Sequence, residues 1–366
     1  MHPPVKLVIQ IPCLNERDQL AETISDLPRA IEGVDAIEVL VIDDGSVDGT
    51  AETAKALGVH HVVRFPQHRG LSAAFMAGID VSLRLGADVI VNTDADNQYH
   101  GAAIATLVGP ILRKQADVVI GDRQLRNCPR TSWSRKLLQH WGSMLVRRVA
   151  GVPVADATSG FRAFSRGAAL RLFVHNPFTY TLETIIQGGR SGQAFENVVV
   201  ATNPPRRHSR LFASVARYVR RNAAVILRTY AMYRPVRTLG IFSAGLFCAG
   251  ALLTGRFLWL YAADPARGGH TQSLVVGTAC LALSLQVGLA ALLSDLIATN
   301  RRLSEDALEH VRRIDAALTS SALRNGDVID GVESTGHRPW GAGAAAAEQA
   351  ASRPIRVASA SREPRK

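Results

Sequence analysis

The stretch Val89-Ile90-Val91-Asn92-Thr93-Asp94-Ala95-Asp96-Asn97-Gln98 decides the fold. Its first half is apolar and β-branched, which predicts a buried strand. Two carboxylates and a carboxamide follow at a spacing of two residues, at the carboxyl end of that strand. Oxygen ligands placed in this way can hold a divalent cation and present it to a diphosphate. The alternative is a polar turn, because Asp and Asn are common in turns for backbone reasons alone.

Strand-like and helix-like segments alternate around this stretch, from residue 5 to about 121. We predict strands at Val5–Ile11, Glu38–Ile42, His60–Arg64, Val89–Thr93 and Asp117–Ile120. Helix-like segments lie between them at about 19–30, 50–57, 71–85 and 102–115. The alternation predicts an α/β fold with a mostly parallel, Rossmann-like sheet that binds ligands at the carboxyl ends of its strands.

Other polar side chains follow the predicted strands at the same end. Asn15 and Glu16 come after the first strand, Asp43 and Asp44 after the second, and Arg123 after the fifth. Because the carboxyl ends of parallel strands meet at one edge of a sheet, we expect these residues to share a rim with the carboxylates after the fourth strand.

The positive charge of the chain is concentrated beside an apolar segment. The formal net charge is +11 over 366 residues, and nine Arg residues fall between Arg206 and Arg237. Such a basic stretch is typical of the cytoplasmic flank of a membrane span. A nucleic-acid-binding protein would also explain the charge, but its arginines should line a groove, and basic aromatic motifs are absent. We therefore predict a membrane partner and no nucleic acid.

Two apolar segments, about 239–261 and 274–298, each exceed the roughly 20 residues that a bilayer core requires. Arginines flank the outer ends of the pair, whereas the connector 262–273 carries one Asp and one Arg. This asymmetry predicts a multi-pass protein of the cell membrane with the preceding domain in the cytoplasm. The segment 211–233 carries arginines on one helical face, which predicts an interfacial helix; packing against the soluble domain is the alternative.

These patterns divide the chain into five parts. They are a cytoplasmic α/β domain at 1–210, amphipathic interfacial helices at 211–236, a two-helix transmembrane hairpin at 237–300, a cytoplasmic helix at 301–318 and a tail at 319–366. The tail is rich in Ala, Gly, Ser, Pro and Arg without periodicity, which predicts disorder.

Four ordered motifs resemble glycosyltransferase family 2: Pro12-Cys13-Leu14-Asn15-Glu16, Asp43-Asp44-Gly45-Ser46, Asp94-Ala95-Asp96-Asn97-Gln98 and Thr158-Ser159-Gly160-Phe161-Arg162. Within that family the chain is similar, over about residues 5–212, to the polyprenyl-phosphate (dolichol-phosphate mannose synthase-like) glycosyltransferases. The resemblance implies a GT-A-type domain that uses Mg²⁺ or Mn²⁺. It also implies inverting transfer of a single hexose from a nucleotide-diphosphate sugar to a polyprenyl phosphate at the cytoplasmic membrane face, giving a sugar donor for cell-envelope glycosylation.

Residues at the strand ends are the candidates for binding the nucleotide sugar. Glu16 and Asp44 offer directional acceptors for a base and a ribose, and the resemblance implies that Asp44 contacts the base. Asp43 either joins them or holds the following turn. The resemblance implies that Asp96 and Gln98 bind the metal, with Asp94 toward the ribose or the metal. The nucleotide-sugar candidates are Pro12, Asn15, Glu16, Asp43, Asp44, Asp94, Ala95, Asp96, Gln98, Arg206 and Arg207.

A lipid phosphate is already anionic and needs no general base, so its site must gather two anions with Arg side chains. Arg123 and Arg135 are the candidates, and the resemblance implies that they bind the acceptor phosphate together with Ser159. With Asp94 and Asp96 they form the candidate catalytic set. Arg135 could instead belong to a solvated helix face.

Two other functions stay open at this point. One is a family 2 transferase acting on another lipid or a saccharide; the other is an inactive membrane module that binds a sugar nucleotide, against which the intact Asp96 and Gln98 argue. The segment Gln187-Gly188-Gly189-Arg190-Ser191 lacks the Trp of processive polysaccharide synthases, which favours transfer of one sugar. The donor base and sugar stay undetermined, and a homo-oligomer is compatible with these features.

Overall fold

The computed structural model describes residues 4–124, 144, 146–148, 150–174, 180–203, 235–263, 271–324 and 332–334. Its strands are β1 Lys6–Cys13, β2 Ala36–Asp43, β3 His61–Arg64, β4 Val89–Asn92, β5 Val118–Asp122, β6 Arg162–Ser165, β7 Phe195–Val199 and β8 Val332–Ser334. Its helices are α1 Arg17–Asp26, α2 Thr50–Ala56, α3 Leu71–Arg84, α4 Ala103–Leu112, α5 Arg166–Leu170, α6 Thr181–Arg190, α7 Pro235–Ala263 and α8 Thr271–Arg324.

The strands form one sheet in the order β7-β5-β6-β4-β1-β2-β3-β8. Strand β1 pairs in parallel with β2 and β4, β2 with β3, and β5 with β7. Strand β6 is antiparallel to both β4 and β5, and β8 is antiparallel to β3. The predicted mostly parallel α/β sheet is therefore confirmed, while β6 and β8 had not been predicted.

Apolar side chains cover both faces of the sheet because successive residues of a strand point to opposite sides. In β1, Leu7, Ile9 and Ile11 belong to one buried cluster and Val8 to the other. The second cluster includes Phe75 and Ile79 of α3, both fully buried. Helices thus cover both faces, and the polar rim is left at the strand ends.

Helix α1 ends earlier than predicted. It stops at Asp26, and Leu27 takes an extended conformation with ψ 141°. Proline at position 28 disfavours the helical conformation in the residue before it. The predicted helix to residue 30 is therefore wrong at its end.

The two C-terminal helices are candidate membrane spans by length and composition. The apolar segments are Leu239–Ala263 in α7 and Thr271–Thr319 in α8. Many of their large side chains are exposed, such as Trp259 at 74% and Leu296 at 67%. Exposed apolar surface of this extent is typical of a face that contacts lipid.

Helix α8 crosses two of the boundaries predicted for the chain. It continues without a break past residues 300 and 318 and ends at Arg324, so its 54 residues span about 81 Å. Strand β8 follows within the region predicted to be disordered and pairs with the edge strand β3. Local sequence does not show either feature, because both depend on contacts with the domain. The buried Ala316 packs α8 against it, and β8 is held by pairing with β3. Residues 211–234 of the interfacial segment predicted at 211–236 lie outside the described residues. Helix α7 begins at Pro235.

Candidate active site

The polar residues predicted at the strand ends do lie on one edge of the sheet. Strands β1, β2, β4 and β5 have their carboxyl ends there. Because β6 runs antiparallel to β4 and β5, its amino end reaches the same edge. The motif Thr158-Ser159-Gly160-Phe161-Arg162, which leads into β6, is thereby brought beside the carboxylates after β4. This edge of the sheet, with the loops that leave it, is the rim.

The two carboxylates at the carboxyl end of β2, Asp43 and Asp44, are buried, and each accepts a backbone hydrogen bond. Asp43 Oδ1 accepts a hydrogen bond from the backbone N–H of Ser46 at 2.9 Å, and Arg64 Nε lies 3.5 Å from Oδ2. Asp44 accepts backbone hydrogen bonds from Arg69 at 2.7 Å and Gly70 at 2.9 Å. These contacts show both side chains holding loops in place. The base contact of Asp44 stays a prediction.

Gly45 has a φ of 75°, and a Cβ there would lie 2.7 Å from the backbone of Gln67 and His68. Only glycine fits both the left-handed conformation and this close approach. The Asp-Asp-Gly-Ser turn is therefore packed directly against the loop that Asp44 holds.

The residues after β1 join this turn. Asn15 accepts a hydrogen bond from the N–H of Val47 at 3.0 Å, and its own N–H donates to Ser46 Oγ at 2.9 Å. Pro12 is buried in β1, and Glu16, half-buried, precedes α1. The Pro12–Glu16 motif and the turn after β2 therefore form one connected unit.

Asp94 lies on the rim, two residues after the end of β4. Burial, the nearby Asp96 and, more weakly, Glu16 raise the pKa of Asp94 to about 7, although Arg123 acts in the opposite direction. A Cβ added to Gly160 would lie 3.2 Å from both of its carboxylate oxygens. The rim thus holds acidic side chains that a nearby cation would stabilise in their charged form.

A buried polar chain supports Asp94 and the loop before β6. Gln10 Nε2 donates to Asn92 Oδ1 at 2.9 Å, and Asn92 Nδ2 donates to the carbonyl of Gly160 at 2.9 Å and to the hydroxyl of Tyr180 at 3.0 Å. The Tyr180 ring stacks on Phe75 with centroids 3.9 Å apart. Buried hydrogen bonds that follow one another in this way favour one geometry.

The loop after Asp94 is held from two sides. Thr23 Oγ1 of α1 donates to the carbonyl of Ala95 at 2.8 Å. On the other side, Asn203 donates to the carbonyl of Asn97 through its side chain and to that of Gln98 through its backbone, both at 2.8 Å. The segment after β7 is therefore attached to the rim.

The oxygens of this loop fit a divalent cation only if a bound ligand supplies further oxygens. Asp96 Oδ1 accepts the N–H of Gln98 at 3.2 Å, and both side chains are half-buried. In the part of the chain that the structure describes, no three His, Cys, Asp or Glu side chains are grouped to hold a metal. Such incomplete sets are usual where Mg²⁺ is shared with substrate phosphates.

Arg123 forms a buried ion pair beside this centre. Its Nε donates to Asp156 Oδ2 at 2.7 Å, and its Nη2 donates to Asp156 Oδ1 at 3.1 Å and to Thr158 Oγ1 at 2.9 Å. Burial alone would lower the pKa of Arg123, but Tyr99, Asp156 and Asp94 together raise it. Burial acts to raise the pKa of Asp156, yet Arg123 and Thr158 lower it overall. The guanidinium therefore stays charged.

Arg162 is fully buried and bonded to backbone oxygens. It donates to the carbonyls of Ser159 at 2.8 Å, Ala157 at 3.0 Å and Thr181 at 2.8 Å, and also to Thr184 Oγ1. Burial lowers the pKa of Arg162 to about 10. This side chain ties the loop before β6 to α6.

The structure thus brings together Asn15, Asp43, Asp44, Asp94, Asp96 and Arg123, with the buried Ser159 in the neighbouring loop. Arg135, Arg206 and Arg207 lie outside the described residues. Sequence reasoning gave no role to Asn92, Asp156 or Tyr180. Asp156 stands two residues before Thr158, and that proximity was the one sequence signal for it.

The comparisons with known proteins identify the family of the chain. A sequence model described as Glycosyl transferase family 2 matches residues 8–173. "Uncharacterized protein MJ1222" of Methanocaldococcus jannaschii is 31% identical over 206 residues, covering 54% of this chain and 81% of that protein. The chain therefore belongs to glycosyl transferase family 2.

Two further relatives carry functional names. Polyprenol monophosphomannose synthase of Mycolicibacterium smegmatis is 33% identical over 45% of this chain and 64% of its own length. Undecaprenyl-phosphate mannosyltransferase of Micrococcus luteus is 32% identical over 44% of this chain and 66% of its own length. This chain thus spans slightly less than two thirds of each.

A solved structure shows the same fold. It is glucosyl-3-phosphoglycerate synthase of Mycobacterium tuberculosis, crystallised with Mn²⁺, uridine diphosphate and phosphoglyceric acid. The two structures are similar with a TM-score of 0.50 and 21% sequence identity. The match covers 62% of this chain and 78% of the synthase. The domain accordingly has the Rossmann-like GT-A fold.

Proposed function

We propose that the protein transfers one hexose, with inversion, from a nucleotide-diphosphate sugar to a polyprenyl phosphate at the cytoplasmic face of the cell membrane. The product would be a polyprenyl-phosphate sugar donor for cell-envelope glycosylation. The observation that carries the proposal is the placement of Asp94 and Asp96 next to the buried cation of Arg123. One anion-binding and one cation-binding group thus share a rim, as a reaction between two phosphate-bearing substrates requires.

The donor is assigned to the acidic part of the rim. We infer that Asp96 and Gln98 hold Mg²⁺ or Mn²⁺ together with the diphosphate oxygens. The ion, when bound, neutralises the charge that grows on the departing nucleoside diphosphate. Asp94 orients the ribose or completes the metal shell. Arg206 and Arg207, which follow the rim-bound Asn203 in sequence, remain candidates for the diphosphate.

The acceptor is assigned to the basic part of the rim. A phosphate monoester oxygen is anionic at neutral pH, so no general base is needed. Arg123 binds the acceptor phosphate and reduces its repulsion by the donor diphosphate. Ser159 and Arg135 are proposed as further contacts. The names of the two functionally described relatives, a polyprenol monophosphomannose synthase and an undecaprenyl-phosphate mannosyltransferase, support this assignment.

The membrane arrangement follows from the same chemistry, because a soluble donor and a lipid acceptor must meet at one surface. We propose that the transferase domain and the chain after Arg302 are cytoplasmic, and that the connector 262–273 faces outward. Single Cys substitutions at Gly268 and at Thr335, made after removal of the native cysteines, test this with an impermeant thiol reagent on intact cells. Labelling at position 335 instead of 268 would reverse the orientation.

The decisive experiment uses the full-length protein in detergent with undecaprenyl phosphate, Mn²⁺ or Mg²⁺ and a panel of radiolabelled uridine- and guanosine-diphosphate sugars. Label in the organic phase with one donor supports the proposal and identifies the sugar. Label transferred only to a saccharide or to a neutral lipid would show that the acceptor is not a polyprenyl phosphate. No transfer with any donor, while the nucleotide still binds, would identify an inactive binding module.

A further inference from the structure

We propose that Asp156 is the positioning residue of the acceptor-phosphate site and acts through Arg123. The inference rests on the proposed function, since it concerns how that function's acceptor is recognised. Asp156 itself would touch neither substrate. It would fix the direction in which the Arg123 guanidinium meets the phosphate.

The pair has the geometry that fixes a guanidinium in its plane. Two parallel contacts, from Nε to Oδ2 at 2.7 Å and from Nη2 to Oδ1 at 3.1 Å, join Arg123 to Asp156. A bidentate contact of this type sets orientation as well as distance. The side chains are 14% and 3% exposed, so water competes little with the pair.

Thr158 closes the arrangement into a ring. Its hydroxyl accepts from Arg123 Nη2 at 2.9 Å and donates to Asp156 Oδ1 at 2.9 Å, while its backbone N–H donates to the same oxygen at 3.1 Å. Asp156 is therefore held by the loop that also carries Gly160. The orientation of Arg123 is thereby coupled to the loop that contacts Asp94.

The contacts leave one end of the guanidinium for a ligand. Nε and Nη2 are committed to Asp156 and Thr158, and Nη1 has no hydrogen-bond partner among the described residues. Arg123 is bound to Thr158, and the same loop passes next to the Asp94 carboxylate at Gly160, so this cation lies near the acidic part of the rim. The remaining donor, Nη1, is therefore the one that would meet the acceptor phosphate.

Two roles for Asp156 predict opposite results. If Asp156 only neutralised Arg123, then Asp156→Asn would leave more positive charge and bind an anionic phosphate more tightly. If Asp156 positions Arg123, the same variant loosens the guanidinium and binds the phosphate more weakly, because part of its binding energy is spent on restoring the orientation. The sign of the change in affinity separates the two.

The experiment measures equilibrium binding of undecaprenyl phosphate in detergent to the full-length protein, and then the KM values for both substrates. For Asp156→Asn we expect the dissociation constant and the acceptor KM to rise by about tenfold, with unchanged nucleotide affinity. Asp156→Glu should restore part of the loss. Tighter or unchanged lipid binding would overturn the proposal. An equal loss of affinity for the lipid and for the nucleotide sugar would overturn it as well.

Two further variants keep the result interpretable. Asp117 lies at the other end of β5, where its carboxylate accepts a hydrogen bond from the N–H of Ala194 at 3.0 Å. Asp117→Asn should therefore leave the affinity for both substrates unchanged. Thr158→Val retains the ion pair and should also weaken lipid binding, but by less than Asp156→Asn does. This variant tests the proposal even if Asp156→Asn does not fold. Unchanged lipid binding in Thr158→Val would count against the proposal. If the wild-type protein does not bind undecaprenyl phosphate, the proposed function fails too, whereas wild-type binding that Asp156→Asn leaves unaltered removes the positioning role alone.

Discussion

The backbone of Gly160 passes so close to the carboxylate of Asp94 that a Cβ at position 160 would lie 3.2 Å from both carboxylate oxygens and 3.0 Å from the hydroxyl of Tyr180. Contacts of this length are tighter than ordinary van der Waals packing, so one of the neighbours must move. The loop before β6 and the loop after β4 are therefore matched to each other at this point. Any change in the separation of the loops alters the position of Asp94.

Gly160→Ala should consequently impair activity more than stability. We expect kcat/KM to fall by about ten- to a hundredfold, because the added methyl group displaces Asp94, while overpacking costs about 1 kcal/mol in unfolding free energy. Transfer assays and thermal unfolding in detergent measure the two effects. Gly167→Ala is the matched control, since its Cβ would have 4.0 Å to the nearest atom, Ser165 Oγ. Equal effects of both substitutions would contradict the prediction.

Asp96→Ala should remove nearly all transfer and leave the fold intact. The half-buried side chain accepts one backbone hydrogen bond, from Gln98, so its loss should cost little stability. The proposed metal would lose its carboxylate ligand, and the diphosphate charge would lose its counterion. Excess chelator should reproduce the loss in the wild-type protein, and added Mn²⁺ should reverse it. Full activity in chelator would exclude the metal role.

The sequence predicted the rim but not its supports. Asp43, Asp94 and Arg123 could be placed because each lies at or within three residues of the end of an apolar, β-branched run, and parallel strands bring such positions together. The contacts of Asn92 and Asp156 depend instead on where β6 enters the sheet. That strand is four residues long and contains the buried Arg162, so neither its length nor its pattern indicated a strand. Which loop reaches Asp94 is decided by sheet order, which local sequence does not encode.

Glu38 should make stability depend on pH in the acidic range. Burial alone would raise its pKa, but hydrogen bonds from His61 and Lys6 lower the pKa of Glu38 from 4.5 to about 2. The carboxylate therefore adds stability that is complete above pH 4.5 and is lost as pH falls through about 2. Compared with wild type, Glu38→Gln should have an unfolding free energy at pH 7 that is lower by about 1 to 3 kcal/mol. The difference should shrink steadily below pH 4.5; a constant difference would refute the assignment.

Gly250→Ala should loosen the pairing of the two candidate membrane helices. A Cβ at position 250 would lie 2.9 Å from the carbonyl oxygen of Gly277 and from Leu281, so α7 and α8 would have to separate. Close packing at small residues is a main source of helix association in membranes. We expect a loss of about 1 to 3 kcal/mol in thermal unfolding in detergent. Gly255→Ala, with no atom within 4 Å of its Cβ, should be neutral or slightly stabilising.

Arg312→Ala should loosen the contact between the end of α8 and the transferase domain, which the Arg84–Asp315 and Arg171–Glu309 pairs also hold. Arg312 Nη2 lies 3.1 Å from Asp80 Oδ1 of α3, and its Nη1 donates to the carbonyl of Leu172 after α5. Its guanidinium carbon also lies 5.9 Å from the centre of the Phe173 ring. Removing the guanidinium leaves these partners without their cation, which should lower the unfolding free energy by about 1 to 3 kcal/mol. Hydrogen exchange of the α3 amides and thermal unfolding of the full-length protein measure this loss.

The neighbouring Arg313 provides the control for that experiment. Its side chain is 63% exposed and pairs with Glu309 one turn earlier in the same helix, at 2.8 Å. Exposed pairs of this spacing contribute about 0.3 to 0.5 kcal/mol, so Arg313→Ala should leave α3 exchange unchanged. Because α8 also contains the second candidate span, docking through Arg312 would hold the rim at a fixed position relative to the bilayer. Faster exchange in Arg313→Ala than in Arg312→Ala would show that α8 docks through a different surface.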